Sequence, residues 1–228
     1  MRVLTLCCLA LVCVALGMSV PSRHPGVYYW GVPDSTLKLE VFGDYTCDAT
    51  ADFWLNVVEP LIDPSNPYGP LAISQLAVVY YPFSLPYHAA SFSASKVMTT
   101  LDSLRVNSSL LNDKEQHAAH KYLFENQAVL YNDATHNVTR DDIEQTVMDI
   151  VCATPEISET VCTALHNGFA DTESDTRSVW KYSCEHGVSG TPTTHVNGVA
   201  FQAPFYWGVE EWTNFLLGLL DTPYSVDL

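Results

Sequence analysis

The sequence has little positive charge. Its 228 residues include 10 Lys and Arg against 26 Asp and Glu, which gives a formal net charge of −16, and no run of basic residues occurs. Proteins that bind nucleic acid or an anionic membrane surface present a basic patch, so we expect neither partner. Charged residues make up only 16% of the chain and hydrophobic residues 47%, a balance typical of a folded domain.

Several motifs that carry catalytic chemistry are also missing. The chain has no P-loop and no dinucleotide-binding fingerprint, and Gly187-Val188-Ser189-Gly190 lacks the spacing of a nucleophile elbow. It has no Cys-x-x-Cys pair, which argues against a structural zinc site. His117 and His120 share one helix face, but no motif supplies further ligands, and we expect them to be surface histidines. The sequence therefore predicts no metal and no cofactor.

The first residues have the features of a secretory signal peptide. Arg2 precedes a mostly apolar run, residues 3–14, and the small-residue exit ends at Gly17. A transmembrane helix needs roughly 20 apolar residues, and Pro21 follows too soon for one. We expect cleavage after residue 17, a location in the secretory pathway, either secreted or in the lumen of the endoplasmic reticulum, and no membrane span in the mature chain.

Removal of this leader changes the cysteine count. Three of the 7 cysteines leave with residues 1–17, and four remain, which can pair in an oxidising compartment. Cys152 and Cys162 lie ten positions apart on consecutive predicted helices, a spacing that a disulfide can close. Cys184 ends another predicted helix and is a third candidate. With Cys47 as the fourth, three connectivities are open.

Two glycosylation acceptors agree with a secretory location. Asn107-Ser108-Ser109 and Asn137-Val138-Thr139 match the N-x-Ser/Thr triplet. Each lies in a polar stretch that we predict to be a loop between helices. In a eukaryotic secretory pathway we expect both to be surface sites.

The folded part of the chain begins with a predicted strand, helix and strand. The alternation from Leu37 to Phe42 predicts a strand that enters the core. A helix then begins at Cys47 and closes at Pro60, and the apolar run from Leu76 to Tyr81 predicts a second strand. Together they form a βαβ unit.

Helices and a final hairpin follow. Five segments carry helical spacing: Ala89 to Leu104, Asp113 to Leu130, Arg140 to Cys152, Ile157 to Leu165 and Asp171 to His186. Two further strands flank Asn197-Gly198, a strong hairpin signal, and a helix closes the chain: Thr193 to Val196, Val199 to Phe201 and Val209 to Leu220. We expect an N-terminal extension at 18–34 and one α/β domain at 35–222, with a helical insertion at about 87–186.

Four segments together resemble one family. Phe42-Gly43-Asp44-Tyr45-Thr46-Cys47 is similar to the entry to the active site of DsbA-like thiol-disulfide oxidoreductases, and Gly187 to Thr193 with Val196-Asn197-Gly198 is similar to their proline loop and hairpin. Tyr81-Pro82-Phe83-Ser84-Leu85 with His88, and Leu123-Phe124-Glu125-Asn126-Gln127, also resemble family segments, in the expected order. The resemblance runs from about Ser35 to Leu220.

The resemblance implies a thioredoxin-like fold and a set of site residues. Cys47 is expected at a helix N-terminus, where unpaired backbone N–H groups and the helix dipole favour a thiolate. Pro192 would follow a cis peptide bond, and the backbone of Thr191 would face Cys47. Thr191 and Thr193 would then pair with an extended, cysteine-containing client chain.

The sequence departs from the family pattern at one position. Thr50 stands where an active disulfide oxidoreductase normally has its second, resolving cysteine, so dithiol oxidase activity is in doubt. Asp48 adds a negative charge that opposes thiolate formation while favouring the helix start. The two effects compete, and the sequence does not decide between them.

Three hypotheses for Cys47 stay open. Cys47 could form mixed disulfides with client cysteines, resolved by an external thiol such as glutathione, with the Thr50 hydroxyl offered to the thiolate. Alternatively, the chain is a redox-inactive module whose groove around Pro192 binds peptides or a protein partner. In the third hypothesis, Cys47 is bonded to Cys184. A kappa-type glutathione transferase or isomerase uses a comparable scaffold, but the secretory signal argues against it.

Other side chains are weaker candidates. His88 and His195 are expected near the site because they follow the second strand and the proline loop. An aromatic cluster before and in the last helix is expected to be core and edge packing for that helix, with part of it a candidate for a peptide groove: Phe205, Tyr206, Trp207 and Trp212.

Overall fold

The structure of the protein is a computed structural model that describes residues 26–31, 35–65 and 75–221. The expected signal peptide, residues 1–17, and the last expected domain residue, 222, lie outside the described residues. All elements below belong to the described part of the chain.

A sheet of five strands forms the centre of the fold. The strand order is β1-β3-β2-β4-β5. β2 and β3 run parallel, and the other neighbouring pairs run antiparallel. Every residue of β3 is buried, as expected for a strand with both faces covered. The strands are β1 (Tyr28–Gly31), β2 (Leu37–Gly43), β3 (Leu76–Pro82), β4 (Thr193–Val196) and β5 (Val199–Ala200).

The first strand was not predicted from the sequence. Residues 18–34 are expected to be an extension, whereas Tyr28–Gly31 pairs antiparallel with β3, with Tyr28 opposite Tyr80. Tyr28 is buried and its ring lies edge-on to Trp54 at 6.0 Å between centroids. The edge of the sheet next to β3 is therefore covered by this strand.

The helix that follows β2 is continuous but changes its winding. It consists of α1 (Asp48–Phe53), a π-helical turn (Trp54–Val58) and α2 (Glu59–Ile62). Trp54 is fully buried, and the predicted amphipathic face packs on the sheet. The wider π turn begins at this buried tryptophan.

Helices then fill the chain between β3 and β4. This confirms the expected order of βαβ, helices and ββα. The remaining helices are α3 (Ser91–Ser103), α4 (Asp113–Glu125), α5 (Asn132–Thr135), α6 (Arg140–Cys152), α7 (Glu159–Gly168), α8 (Glu173–Glu185) and α9 (Val209–Asp221), with a π-helical turn (Leu104–Ser108) and two 3₁₀ turns (Gln127–Leu130 and Phe169–Thr172).

One predicted helix is shorter than expected. The sequence predicts a helix from Asp113 to Leu130, but α4 ends at Glu125 and a 3₁₀ turn follows. A capping box fixes its start, because the Asn112 side chain accepts from the Glu115 backbone N–H and the Glu115 carboxylate accepts from the Asn112 backbone N–H. Gln127 therefore lies in the 3₁₀ turn and not in α4, and its side chain donates to the Tyr45 carbonyl in the loop before α1.

One disulfide joins two consecutive helices. Cys152 and Cys162 are bonded, with their α-carbons 5.6 Å apart. Cys47 is free and buried, and Cys184 is free and exposed. The hypothesis of a Cys47–Cys184 disulfide is therefore wrong, and so is Cys184 as a disulfide candidate within the described residues. Burial and the Glu185 carboxylate raise the pKa of the Cys184 thiol.

The two predicted glycosylation sites and the predicted aromatic cluster lie within the described residues. Asn107 is exposed but lies in the π-helical turn after α3, so the predicted loop is wrong there, whereas Asn137 is exposed in a turn before α6. Trp212 is buried as expected. Phe205 and Tyr206, in contrast, are 99% and 69% exposed, so they are not core residues.

None of the helices in the described segments has both the length and the apolar character to cross a bilayer.

Candidate active site

Cys47 stands at the N-terminus of α1. Its backbone is extended, with φ −89° and ψ 122°, and it is the N-cap residue. The Cys47 N–H donates to the Asp44 carbonyl at 3.1 Å, and its carbonyl accepts from the Ala51 N–H at 3.1 Å. The residue is only 6% exposed. A tight turn at the end of β2 therefore delivers this sulfur to the first turn of the helix.

The sheet brings the proline loop to the same place. β4 runs antiparallel to β2, with Thr193 opposite Phe42, so the start of β4 meets the end of β2. The Cys47 Sγ lies 3.6 Å from the Thr191 carbonyl oxygen, a distance at which the thiol donates to it. The Thr191–Pro192 peptide bond is cis. Cys47 and the predicted client-binding residues are thus brought together.

On the side of this loop that faces β5, no described strand continues the β4–β5 ladder. The ladder between β4 and β5 pairs His195 with Ala200 and Val196 with Val199. One further bond runs from the Phe201 N–H to the Thr194 carbonyl at 2.9 Å. Residues 191–193 lie beyond this ladder. The Thr193 hydroxyl donates within the loop, to the Gly190 carbonyl at 2.8 Å.

Thr50 is three residues after Cys47 in the chain, but its side chain contacts Asp44 and Gly43. It is fully buried, and its hydroxyl accepts from the Asp44 N–H at 3.4 Å. Its methyl group packs on Gly43, where a Cβ would lie only 2.6 Å from it and from the Tyr80 ring. A larger residue than glycine does not fit at that position. Within the described residues, the hydroxyl has no hydrogen bond to the sulfur.

The carboxylate of Asp44 organises the loop and was not predicted as a site residue. Asp44 is fully buried, and its Oδ1 accepts from the N–H and the hydroxyl of Thr46, each at 2.8 Å. Its Oδ2 accepts from the Leu85 N–H at 3.0 Å and from His88 Nδ1 at 2.9 Å. Four donors therefore satisfy one buried charge, as such a charge requires. This Asp44 cluster ties the turn before Cys47 to the loop after β3.

Gln127 and Tyr131 hold the loop from the other side. Gln127 Nε2 donates to the carbonyls of Tyr45 and Cys47, at 3.1 and 3.4 Å. The Tyr131 hydroxyl donates in turn to Gln127 Oε1 at 2.8 Å. Burial raises the pKa of Tyr131, and its electrostatic interactions with Asp48 and Cys47 raise it further. Gln127 belongs to a segment that resembles the family, which was the one signal for it in the sequence.

A small pocket opens beside Cys47. Its volume is about 190 Å³. The residues before and after the cysteine contribute to it, together with residues from the loop after β3 and from the start of α5. The lining residues are Thr46, Asp48, His88, Leu130, Tyr131 and Asn132. His88 is thus part of the neighbourhood of Cys47. His195 instead lies in β4 opposite Ala200 of β5. Burial lowers the pKa of His195, and its ring centroid lies 4.8 Å from that of Phe42.

His120 is buried, so the expectation of a surface histidine is wrong. It is fully enclosed, with one hydrogen bond between its Nδ1 and the Tyr45 hydroxyl at 3.2 Å. No described residue pairs with its Nε2 or with the Tyr80 hydroxyl. Burial lowers the pKa of His120, and His117 lowers it further. Five rings surround it at 4.3–5.3 Å between centroids: Tyr28, Tyr45, Trp54, Tyr80 and Phe124.

The described residues contain no group of three His, Cys, Asp or Glu side chains that could hold a metal ion. His117 contacts protein groups instead: its Nδ1 lies 2.5 Å from the Tyr28 hydroxyl and its Nε2 lies 3.2 Å from the Glu59 carboxylate.

Solved structures with the same arrangement of helices and strands are similar to this chain over most of its length. BdbD from Bacillus subtilis, in the oxidised form, superposes with a TM-score of 0.60 at 17% identity, covering 87% of this chain and 97% of that chain. MdbA from Actinomyces oris, a thiol-disulfide oxidoreductase, gives 0.62 at 13% identity, with 89% and 93% covered. DsbA from Chlamydia trachomatis gives 0.58 at 14% identity, with 89% and 94% covered.

The chain has a thioredoxin-like fold. No family model matches its sequence, and a search of curated proteins finds no match. At these identities the likeness concerns the fold, so the chemistry has to be argued from the site itself. In this thioredoxin-like fold, the parallel pair β2 and β3 carries the Asp44 cluster at its C-terminal end, and β4 adds the proline loop beside it.

Proposed function

We propose that this chain is a secretory-pathway thioredoxin-like protein that acts on protein thiols through a single cysteine, Cys47. The observation that carries the proposal is the 3.6 Å distance between the Cys47 sulfur and the Thr191 carbonyl oxygen in the proline loop. A thiol at a helix start, beside a backbone edge that can pair with an extended chain, is suited to thiol-disulfide exchange with a polypeptide.

The proposed reaction has two exchange steps. The Cys47 thiolate attacks one sulfur of a client disulfide, forms a mixed disulfide with that sulfur and releases the other client sulfur as a thiolate. A low-molecular-weight thiol such as glutathione then attacks the mixed disulfide as its thiolate, bonds to the client sulfur and releases Cys47 as a thiolate. Each step exchanges one S–S bond for another, so the sum of disulfides is constant.

Each site residue has a role in this proposal. Cys47 is the nucleophile, and Thr191 and Thr193 offer backbone groups to the client chain. Pro192 shapes the loop that carries them. Thr50 leaves the mixed disulfide without an internal resolving thiol, and its hydroxyl accepts from the Asp44 N–H, which supports a role in shaping the turn.

The rest of the chain fits the same context. We propose residues 1–17 as the signal peptide and Asn107 and Asn137 as glycosylation sites; both asparagines are exposed. The Cys152–Cys162 disulfide agrees with an oxidising compartment. The domain is proposed to extend through residue 222, with the clients being secreted or lumenal cysteine-containing proteins.

The lifetime of the mixed disulfide tests the proposal. A client peptide disulfide is added to the wild type, to Thr50→Cys and to Cys47→Ser, and the adducts are followed by mass spectrometry after acid quenching. We expect the wild type to accumulate an adduct on Cys47 that persists until glutathione is added. Thr50→Cys should shorten the lifetime of the adduct, because a second thiol then lies in the same helical turn. No adduct on wild-type Cys47 at any pH up to 9 would falsify the proposal.

A second function has one observation in its favour. Cys47 is only 6% exposed, which limits access to its sulfur and favours a redox-inactive module that binds peptides or a partner at the loop around Pro192. In that case the peptide would bind equally well to the wild type and to Cys47→Ser, and no adduct would form. Binding measured by fluorescence anisotropy with the labelled peptide distinguishes the two functions.

A further inference from the structure

The pocket beside Cys47 offers hydrogen-bond acceptors and almost no free donors. The Thr46 hydroxyl donates to Asp44, and the Asn132 amide is used twice, donating to the Tyr87 carbonyl at 2.7 Å and accepting from the Ala89 N–H at 2.9 Å. The Tyr131 hydroxyl donates its hydrogen to Gln127. These side chains therefore keep one hydrogen for a ligand, the second amide hydrogen of Asn132.

Three acceptors remain on the pocket wall. Asp48 uses only its Oδ1, which accepts from the Ala49 N–H at 2.8 Å, so its second oxygen has no partner among the described residues. The Tyr131 oxygen keeps a lone pair. His88 donates to Asp44 through Nδ1, which leaves Nε2 as an acceptor when the ring is neutral. A ligand for this pocket has to bring several donors.

The negative charge of the pocket favours the same kind of ligand as its hydrogen-bond acceptors do. Asp48 is the one acidic side chain among the lining residues, and none of the described residues that line the pocket is Lys or Arg. The whole chain carries −16. At about 190 Å³ the pocket is smaller than the roughly 300–1,000 Å³ of sites for drug-sized ligands, so it fits one side chain better than a cofactor.

We propose that this pocket binds a cationic side chain, Lys or Arg, that neighbours the reactive cysteine of the client. The proposal rests on the proposed function, because it assigns the class of polypeptide that exchanges with Cys47. Thr46 and Asp48 flank Cys47 in the chain, so a pocket lined by both lies where a residue adjacent to the client cysteine comes to rest. Asp48, Tyr131 and His88 are its specificity residues.

Matched peptides test the proposal. Three short peptides have one cysteine flanked on both sides by Lys, by Ala or by Glu, and each cysteine carries thionitrobenzoate as a mixed disulfide. All proteins in this experiment carry Cys184→Ser, because Cys184 is a free, exposed thiol that would react as well. Attack by Cys47 transfers the peptide to its sulfur and releases the thionitrobenzoate anion, which is followed by absorbance. Each rate is divided by the rate of the same peptide with N-acetylcysteine, which corrects for intrinsic reactivity.

Asp48→Asn and Asp52→Asn form a matched pair of variants. Both remove one exposed carboxylate from the same helix, but Asp52 accepts from the Asn56 side chain and does not line the pocket. For the wild type we expect the Lys peptide to react about threefold to fivefold faster than the Ala peptide, the size expected for an exposed ion pair of up to about 1 kcal/mol. The ratio of the two peptides cancels any change in the reactivity of Cys47 itself.

The outcomes separate the two proposals. Loss of the Lys preference in Asp48→Asn and its retention in Asp52→Asn supports the pocket. An equal loss in both variants, or no preference in the wild type, overturns it and leaves the exchange function intact. If none of the three peptides reacts with wild-type Cys47, the proposed function fails and the pocket proposal fails with it.

Discussion

Asp44 and Tyr45 are neighbours in the turn before Cys47, but their side chains belong to two different buried clusters. Asp44 is a charged group that four donors satisfy completely. Tyr45 enters the His120 cluster, which consists of His120 and the five rings around it; there one hydrogen bond serves the imidazole, and the Tyr80 hydroxyl has no partner among the described residues. One turn of the chain thus has a saturated network on one side and an aromatic cage on the other.

The difference shows how the two sides support the site. A saturated network has one arrangement, because each donor is committed to one oxygen, so the Asp44 cluster fixes the turn that delivers Cys47. The His120 cluster depends on packing and on the neutrality of one ring. The cluster packs α4 against the sheet. Burial of His120 is stable only while its imidazole is uncharged, because burial disfavours the charged form.

The largest effect is expected at Asp44. Asp44→Asn replaces an acceptor oxygen by an amino group that faces donors, so buried N–H groups of Leu85, Thr46 or His88 lose their partner. We expect the free energy of unfolding to fall by about 3–5 kcal/mol. Urea unfolding followed by tryptophan fluorescence measures it.

Asp63→Asn is the matched control for this change. Asp63 Oδ1 accepts from the N–H and the hydroxyl of Ser65, at 2.8 and 2.7 Å, which repeats the contacts between Asp44 and Thr46. Asp63 is exposed, so water replaces what the variant loses. We expect no measurable shift in its unfolding midpoint. Equal destabilisation by the two substitutions would mean that burial of Asp44 is not the cause.

The second prediction concerns the His120 cluster and pH. Because burial holds the pKa of His120 below its ordinary value, the unfolded chain binds more protons than the folded one once the pH falls below about 6.5. Stability should therefore be constant above that pH for this group and decrease as the pH drops towards the folded pKa, by at most about 1.4 kcal/mol per pH unit. Unfolding curves between pH 8 and pH 5 measure the slope.

His120→Phe should flatten this dependence. The phenyl ring fits a cage of aromatic rings and removes the titrating group, while the Tyr45 hydroxyl loses its partner. A residual slope is expected from His195, whose pKa is also lowered by burial. An unchanged slope in His120→Phe would show that the pH dependence originates outside the cage.

Much of this fold was predictable because its signals are local. The alternation that ends at Phe42, the apolar run from Leu76 and the Asn197-Gly198 turn each identify an element from a few neighbouring residues. β1 was missed because a four-residue segment with three consecutive aromatic residues shows no alternation of apolar and polar side chains. Its strand conformation depends on pairing with β3, about 50 positions later in the chain.

The site was predictable in part for the same reason. Cys47 at a helix start is a local feature, and so is the hairpin after Pro192. The bond between Asp44 and His88 joins residues 44 positions apart, and the one from Gln127 to Tyr45 joins residues 82 apart. For His120, helical periodicity gives the face but not the five rings that cover it. Such contacts follow from tertiary packing and leave no short-range signal in the sequence.

The smallest expected effect is a difference in stability between two variants, each of which removes one hydroxyl from one of the two clusters. Thr46→Val removes one of the four donors to the Asp44 carboxylate, and Tyr45→Phe removes the one partner of His120 Nδ1. Hydrogen bonds to charged groups contribute about 1.5–3 kcal/mol and neutral ones about 1 kcal/mol, so Thr46→Val should destabilise the protein more, by a margin of roughly 0.5–1.5 kcal/mol. Urea titrations of both variants at pH 8, where His120 is neutral, measure the margin. The reverse order would mean that the cage, and not the carboxylate, provides most of the support for the turn before Cys47.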